Sequence, residues 1–410
     1  MSRRVLVLTG TRAEYGLFHP LLALLEAAPD FDVALLVTGT HLSERFGMTV
    51  NEIEADGHRI AARVELPLED DSPLGVARAT GAAVAGIAEA LAAENPDVLV
   101  VLGDRYEALA AATAAALLRV PVAHLHGGEI TEGAIDDSVR HAITKLAALH
   151  FVATDEYAQR VIRMGERPDT VFVVGALGVD NALQTHLIAD SALASELGFE
   201  FVSPTALTTF HPVTLDDGGG LAQMEELLAA FDAMPELRVL VTMPNADAGN
   251  QVIAARLAEW TQANATRAKA FPSLGRVRYL SAMAASDVVV GNSSSGIIEA
   301  PSFGKPTVDI GDRQAGRTRA ASVIHAEPDR TAIVSAIRQA LGVQARELAS
   351  KRANPYGDGH AAERIASALA RTVKLTTRKR FYDSDDSERG AEATPLRGVE
   401  PPADIHRGEP

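Results

Sequence analysis

The sequence predicts an α/β protein of two doubly wound domains facing each other across a cleft. Three observations carry this. Short, continuously apolar runs alternate with longer stretches of helical period, as strands buried on both faces of a parallel sheet require. The alternation begins at Val5, lapses, and restarts near Thr205. A chain of 410 residues also exceeds one compact core, so two domains of about 150–200 residues are expected.

In order, Val5–Leu8 reads as a buried strand and Leu17–Ala28 as a helix with Leu at 17, 21, 22, 24 and 25. Val33–Val37 is the next strand. A helix follows near Gly75–Glu94, then Val98–Leu102, a helix over Tyr106–Leu118, the strand Val122–Leu125, and Val171–Val174 to close the unit. Gly175–Asp180 reads as a hinge. The second set runs Thr205–Thr209 (strand), Leu221–Ala233 (helix), Val239–Thr242 (strand) and Gln251–Ala263 (helix), then the strands Val277–Leu280, Val288–Val290 and Thr307–Ile310. Ala361–Leu369 is a final helix. The expected domains are 1–180 and 181–374, with that last helix packing back on the first. The charged, Pro-, Gly- and Ser-rich stretch 375–410 is expected to be a disordered tail.

Composition narrows the function. Hydrophobic residues at 47% and charged residues at 22% suit a folded core, and aromatics at 5% leave the packing to aliphatic side chains. With no Cys, disulfides, thiolate metal sites and cysteine nucleophiles are excluded. A net charge of −16 argues against nucleic acid or an anionic membrane as partner, though a local Arg pocket for phosphate remains possible. The apolar run after Arg3-Arg4 is too short for a signal peptide, and the longest apolar segment, Ala108–Leu118, is too short to span a bilayer. A cytoplasmic protein is expected.

The chemistry-bearing residues fall at strand ends, where open α/β sheets bind ligands. Gly10-Thr11-Arg12-Ala13-Glu14-Tyr15-Gly16 follows the first strand, and Arg12 could meet a phosphate bidentately. The turn lacks the glycine spacing of a dinucleotide fingerprint. Gly103-Asp104-Arg105-Tyr106-Glu107 follows Val98–Leu102, with Asp104 either a helix N-cap or a carboxylate aimed into the cleft. The densest cluster follows Val122–Leu125: His124, His126, Gly127, Gly128, Glu129, then Asp136, Asp137, Arg140 and His141. Glycines let backbone approach a ligand and the acids suit proton transfer. A metal is conceivable from His124, His126 and Glu129, but strand alternation would put His124 and His126 on one face and leave no defined third ligand, so the set is a poor metal site. Asp136 could instead N-cap the helix carrying Arg140.

In the second domain, Phe210-His211-Pro212 and Pro244-Asn245-Ala246-Asp247 end strands. Gly291-Asn292-Ser293-Ser294-Ser295-Gly296 precedes a helix start and offers backbone N–H and Ser hydroxyl donors to a diphosphate. Glu299, about a turn on, could accept the two hydroxyls of a ribose, and Arg313 and Arg317 lie in the next strand-end loop. No Gly-Lys-Ser/Thr triplet marks a P-loop.

Together with Val37-Thr38-Gly39-Thr40-His41-Leu42, Ile135-Asp136-Asp137-Ser138 and Arg140-His141, these motifs resemble the hydrolysing UDP-N-acetylglucosamine 2-epimerases of sialic-acid and related nonulosonic-acid biosynthesis, from residue 1 to about residue 370. The resemblance implies two Rossmann-like domains of the glycosyltransferase-B type. It implies that Arg12, Arg105 and Arg140 face the diphosphate or sugar, and that His211, Asn245, Ser293, Ser294, Glu299 and Arg313 hold UDP. Asp104, His126, Glu129, Asp136 and Asp137 become the acid/base candidates. Relatives carrying Glu-Gly-Gly-Glu use the first Glu. Here His126 stands there, so that role falls to His126 or to Glu129.

The implied reaction is anti-elimination of UDP across C1–C2 to a 2-acetamidoglucal, then hydration to N-acetylmannosamine. It uses no cofactor and no metal. Relatives suggest a homodimer or tetramer. The same chemistry on UDP-2,4-diacetamido-2,4,6-trideoxyglucose is the nearest alternative. The Gly-Gly-Glu and Ile-Asp-Asp-Ser segments argue against a non-hydrolysing epimerase. A glycosyltransferase would not break C2–H, and a nucleotide-sugar sensor would have no need of the four acids.

Overall fold

The computed structural model describes residues 2–70, 72–131, 135–211, 220–243, 250–372, 375–383 and 396–397. The chain divides into two units. One is built from the chain up to Glu129, from Ile135–Asn181 and from Gly359 onward; the other is built from Ile130–Ala134 and Ala182–Asp358. Strands are β1 (Arg3–Thr9), β2 (Phe31–Thr38), β3 (Ile60–Val64), β4 (Val98–Leu102), β5 (Val122–Leu125), β6 (Leu149–Val152), β7 (Val171–Val173), β8 (Thr205–Thr209), β9 (Arg238–Thr242), β10 (Ala268–Phe271), β11 (Val288–Gly291), β12 (Thr307–Ile310), β13 (Val323–Ala326) and β14 (Leu396–Arg397).

Each unit carries one wholly parallel sheet. The first has the order β14-β7-β6-β5-β4-β1-β2-β3 and the second β10-β9-β8-β11-β12-β13. In both, the strand order reverses beside the opening strand, at β1/β4 and at β8/β11. Such switch points leave a crevice beyond the carboxyl ends of the two strands. Gly10–Arg12 and Gly103–Arg105 lie at the first, and Phe210-His211 and Asn292-Ser293 at the second.

Period-two alternation sorts the strands onto two cores. Val5 and Val7 pack with Phe18, Leu21, Leu22 and Leu25 of the helix Arg12–Ala27, and with Ile365 and Leu369 of the final helix Ala361–Arg371. Leu6 and Leu8 face the other way, onto Ile87 and Leu91 of the helix Pro73–Glu94 and the alanines of Tyr106–Leu118. In the second unit Val288 and Val290 pack with Phe231 and Ile337, while Val289 packs with Leu197 and Met283.

The sequence reading passes over the strands β3, β6 and β13, and four further features differ from it. Val277–Leu280 is helical, inside Gly275–Ala285. Its β-prone side chains are outweighed by the Ala-Met-Ala-Ala run that follows, whose Ala282 and Met283 are buried with Leu280. The strand of that region is β10, whose Ala-Lys-Ala-Phe sequence carries no β-branched residue. The longest apolar helix is Pro73–Glu94, not Ala108–Leu118: at 22 residues it is long and apolar enough to span a bilayer. Its stripe Ala79, Ala83, Ile87, Ala90 and Leu91 is nonetheless buried, and Gly86 lies so close to the sheet that a Cβ there would sit 2.6 Å from Val64 Cγ1.

The chain after Leu375, expected to be disordered, lies against the first unit over Leu375–Asp383. Lys379 Nζ donates to the Ala147 carbonyl at 2.6 Å and pairs with buried Glu166 at 2.6 Å. The Tyr382 N–H donates to the Gly165 carbonyl at 3.0 Å. Leu396–Arg397 then adds β14 in parallel to β7. These polar contacts are joined by Leu375, which packs against the core of the first unit. Within the expected hinge, buried Asp180 accepts from the Ala361 and Ala362 N–H groups at 2.9 and 2.7 Å, and so caps the final helix.

Candidate active site

At the end of β4, Asp104 does not cap the following helix; Arg105 occupies the cap position without a side-chain cap bond. Asp104 instead forms an ion pair with Arg140. Arg140 is 1% exposed. Its Nη1 donates to the Glu129 carbonyl at 2.9 Å and to Asp137 Oδ1 at 3.4 Å. One buried guanidinium therefore gathers residues from the loop after β4, the loop after β5 and the helix Ile135–Leu146. Asp136 lies within the first turn of that helix, not at its cap, and is exposed.

Beyond β5 the strand ends at Leu125, and His126 takes the left-handed φ of +64°. A non-glycine residue there is strained, a condition that clusters at functional sites. Gly128 follows at φ +76°, where a Cβ would sit 2.5 Å from the Tyr157 carbonyl oxygen, so only glycine fits. This turn brings His126 Nδ1 to 2.7 Å from Glu129 Oε1 and leaves His126 Nε2 buried without a hydrogen-bond partner. The two acid/base alternatives of the sequence thus form one pair, a carboxylate orienting an imidazole whose far nitrogen carries no hydrogen bond among the described residues. Because His126 has left the strand, alternation does not set it beside His124. Both His124 nitrogens are engaged, Nε2 with the Gly103 carbonyl at 2.8 Å and Nδ1 with Thr144 Oγ1 at 3.2 Å. Burial pushes its imidazole down to about 3. It ties β5 to the β4 loop.

The end of β1 holds two acids that the sequence showed only as members of motifs. Glu14 is buried, and its Oε2 accepts from the Gly10 N–H at 2.8 Å. Burial pushes its carboxyl up to about 7; the Gly10 N–H and the Arg105 guanidinium oppose the rise, and the Glu107 carboxylate adds to it. Glu107 is 1% exposed and holds Arg105 bidentately, at 3.1 and 3.2 Å. Arg105 is therefore preorganised. Arg12 is exposed and pairs with Glu52 at 3.2 Å, a contact worth about 0–1 kcal/mol and easily exchanged for a ligand anion.

In the second unit Gly291 has φ +146°, and a Cβ on it would sit 2.1 Å from the Thr209 carbonyl oxygen. That close approach joins β8 to β11 and lets Asn292 clasp the neighbouring strand end. Asn292 Oδ1 accepts from the His211 N–H at 2.7 Å, and its Nδ2 donates to the His211 carbonyl at 2.8 Å. Arg313 and Gln314 both donate to the Asn292 carbonyl, at 2.9 and 3.0 Å. Burial, with the Arg313 charge adding, pushes the His211 imidazole down to about 4, so it is neutral near pH 7.

Ser293 caps a helix of only five residues, Ser294–Ile298, accepting from the Ser295 N–H. So short a helix has little dipole, and anion binding would rest on Ser293, Ser294 and Arg313 themselves. Glu299 is half-buried, and its Oε2 is buried without a hydrogen-bond partner. Burial pushes its carboxyl up to about 7. Asn245 lies outside the described residues. Asn292 is the structural hub that sequence reading passed over; its signal was its place between Gly291 and the serines.

Two parallel sheets, one ending in an Asp–Arg and His–Glu cluster and the other in a Gly-Asn-Ser-Ser turn, give the chain a fold of the glycosyltransferase-B-like class. The chain belongs to the UDP-N-acetylglucosamine 2-epimerase family, whose sequence profile matches residues 23–370. It is 39% identical over 375 residues to the UDP-N,N′-diacetylbacillosamine 2-epimerase (hydrolyzing) of Legionella pneumophila, covering 92% of this chain and 97% of that one. It is 35% identical over 326 residues to the GDP/UDP-N,N′-diacetylbacillosamine 2-epimerase (hydrolyzing) of Campylobacter jejuni, covering 80% and 85%. Among solved structures, the UDP-GlcNAc 2-epimerase of Methanocaldococcus jannaschii in complex with UDP-GlcNAc and UDP shares the fold. The TM-score is 0.73 at 20% identity, over 89% of this chain and 99% of that one.

Proposed function

We propose that the protein is a hydrolysing 2-epimerase of a UDP-2-acetamido sugar, and that its substrate is UDP-2,4-diacetamido-2,4,6-trideoxyglucose. The observation that carries the chemistry is Arg140, which holds Asp104, Asp137 and the Glu129 segment together while Glu129 orients His126. The names of the Legionella and Campylobacter relatives support this substrate over the UDP-N-acetylglucosamine that the sequence motifs put first. UDP-N-acetylglucosamine is kept as the second reading because the family's profile carries that description.

The reaction has two halves. A base takes the C2 proton as the C1–O bond to UDP breaks, forming C1=C2. Water then adds its oxygen to C1 while a proton reaches C2 from the opposite face, giving free 2-epimer and UDP. A C2 hydrogen is a poor acid, so its loss must be coupled to stabilisation of the departing diphosphate. In this reading Asp104 and the His126–Glu129 pair carry the C2 proton transfers, and Asp136 and Asp137 serve the water step. Arg12 and Arg105 meet the diphosphate or sugar, with Arg140 fixing the acids. His211, Asn245, Ser293, Ser294 and Arg313 hold UDP, and Glu299 accepts the ribose hydroxyls.

The Glu299 role has a pH signature. With its free-state carboxyl at about 7, hydroxyl donors from ribose favour the charged form and lower that value on binding. UDP affinity should therefore rise as pH increases through 7 and level off above it, by roughly tenfold between pH 6 and pH 8. Calorimetric titration of UDP checks this against Glu299→Gln, for which that component of the pH profile is lost.

The substrate is tested by offering both UDP-sugars and identifying the products by NMR. Faster release of 2,4-diacetamido-2,4,6-trideoxymannose and UDP supports the first reading. Faster release of N-acetylmannosamine favours the second, and retention of UDP on the epimer refutes hydrolysis.

A further inference from the structure

We propose that His19, Asp56 and His58 form a divalent transition-metal site on the first unit, of donor type suited to Zn2+. One ligand atom from each of the three lies within 4.8 Å of the other two. His19 Nε2 is 3.9 Å from Asp56 Oδ2. Ligands of a tetrahedral zinc ion, bound at about 2.0–2.2 Å, stand roughly 3.3–3.5 Å apart. Closing the set on an ion needs only side-chain adjustment.

The scaffold favours that closure. His19 sits in the helix Arg12–Ala27, with Tyr15 one turn before it and Glu26 two turns after, on the same stripe. Asp56 and His58 flank Gly57, whose φ of +80° turns the chain after the short helix Val50–Ala55. Tyr15 is 2% exposed and packs against both imidazoles, with ring centroids 4.6 Å from His19 and 5.9 Å from His58.

The supporting hydrogen bonds resemble those behind metal ligands. His58 Nδ1 donates to Glu26 Oε1 at 2.7 Å, which leaves Nε2 as the nitrogen with the lone pair. A carboxylate behind an imidazole fixes its tautomer and raises its basicity toward a metal. The Tyr15 hydroxyl donates to Asp56 Oδ2 and orients that carboxylate. Two imidazoles and one carboxylate suit Zn2+ rather than Mg2+ or Ca2+, which prefer all-oxygen sets. Three protein ligands leave the fourth position to water. An ion there would clamp the helix that begins at Arg12 to the segment carrying Glu52, the residue Arg12 pairs with. The acid/base cluster shares none of these groups.

The test is calorimetric titration of ZnCl2 into the tag-free, full-length chain after chelator treatment, with thermal unfolding run in parallel. The expected result is one equivalent bound per chain and a rise in Tm. Asp56→Asn and His58→Gln each weaken binding by tenfold or more, and Glu26→Gln, which removes no ligand, weakens it by about tenfold. UDP-sugar turnover of the metal-free variants matches that of the metal-free wild type. Absence of a stoichiometric site overturns the proposal, as does zinc binding in Asp56→Asn and His58→Gln that matches wild type while their folded-state Tm is retained.

Discussion

Asp104→Asn is expected to lower kcat by about 10²–10⁴-fold, the range for removing a positioned proton-transfer group. Asparagine keeps an oxygen for the Arg140 guanidinium but cannot take or give a proton at neutral pH. The loss should therefore appear in turnover, with UDP affinity unchanged, because none of the residues assigned to UDP or its diphosphate pairs with Asp104, whose ion pair is with Arg140. Single-turnover kinetics with a parallel UDP titration separates the two. Normal turnover would remove Asp104 from the reaction, and a matched loss of UDP affinity would move it to the binding machinery.

Arg140→Met should have the largest effect on stability. The side chain is 1% exposed, and its loss strips Asp104, Asp137 and the Glu129 carbonyl of their shared donor. Breaking a buried pair from one side costs about 3–5 kcal/mol. The aspartates retain 26% and 30% side-chain exposure and recover some hydration, which places the expected loss near the lower end, about 3 kcal/mol. Arg140→Lys should fall between, since lysine restores the charge without the planar fork. Urea unfolding followed by circular dichroism reads this as a lowered midpoint for the first unit's transition. An unchanged midpoint in Arg140→Met would contradict the role of this residue as the tie between the two loops and the helix Ile135–Leu146.

Most of the sheet was legible because its central strands are buried on both faces; β6 was missed, its four residues Leu-His-Phe-Val interrupted by the buried His150. A strand such as Val98–Leu102, buried at every position, has to be a continuous apolar run. Edge strands escape this logic. Among the described residues Ala268–Phe271 pairs with one neighbour, β9, and its sequence carries nothing to distinguish it from a loop. The helix over Val277–Leu280 was misread for the converse reason: four β-tolerant residues outweighed a helical context that becomes visible only past Ala282.

At the candidate site, residue identity was legible and partnership was not. Asp104 reads equally as a cap or as a free acid until Arg140, 36 residues away, is seen to reach it. His126 and Glu129 look like rival acids in the sequence. Only the left-handed turn at His126 and the crowded Gly128 position make them a pair. Glu14 and Glu107 were present in their motifs, but their importance comes from burial, which two isolated acidic letters do not signal. In the same way Leu375–Asp383 was judged by the composition of the tail, while its contacts come from Lys379 reaching a buried carboxylate, from Tyr382 hydrogen-bonding the Gly165 backbone and from Leu375 packing on the core.

Running the reaction in D2O and recording the NMR spectrum of the released sugar tests the chemistry at its root. If elimination and hydration proceed as argued, the free 2-epimer carries solvent deuterium at C2 from the first turnover. A released sugar that keeps its original C2 hydrogen would mean that this bond is never broken, and would reduce the protein to a simple hydrolase or a transferase.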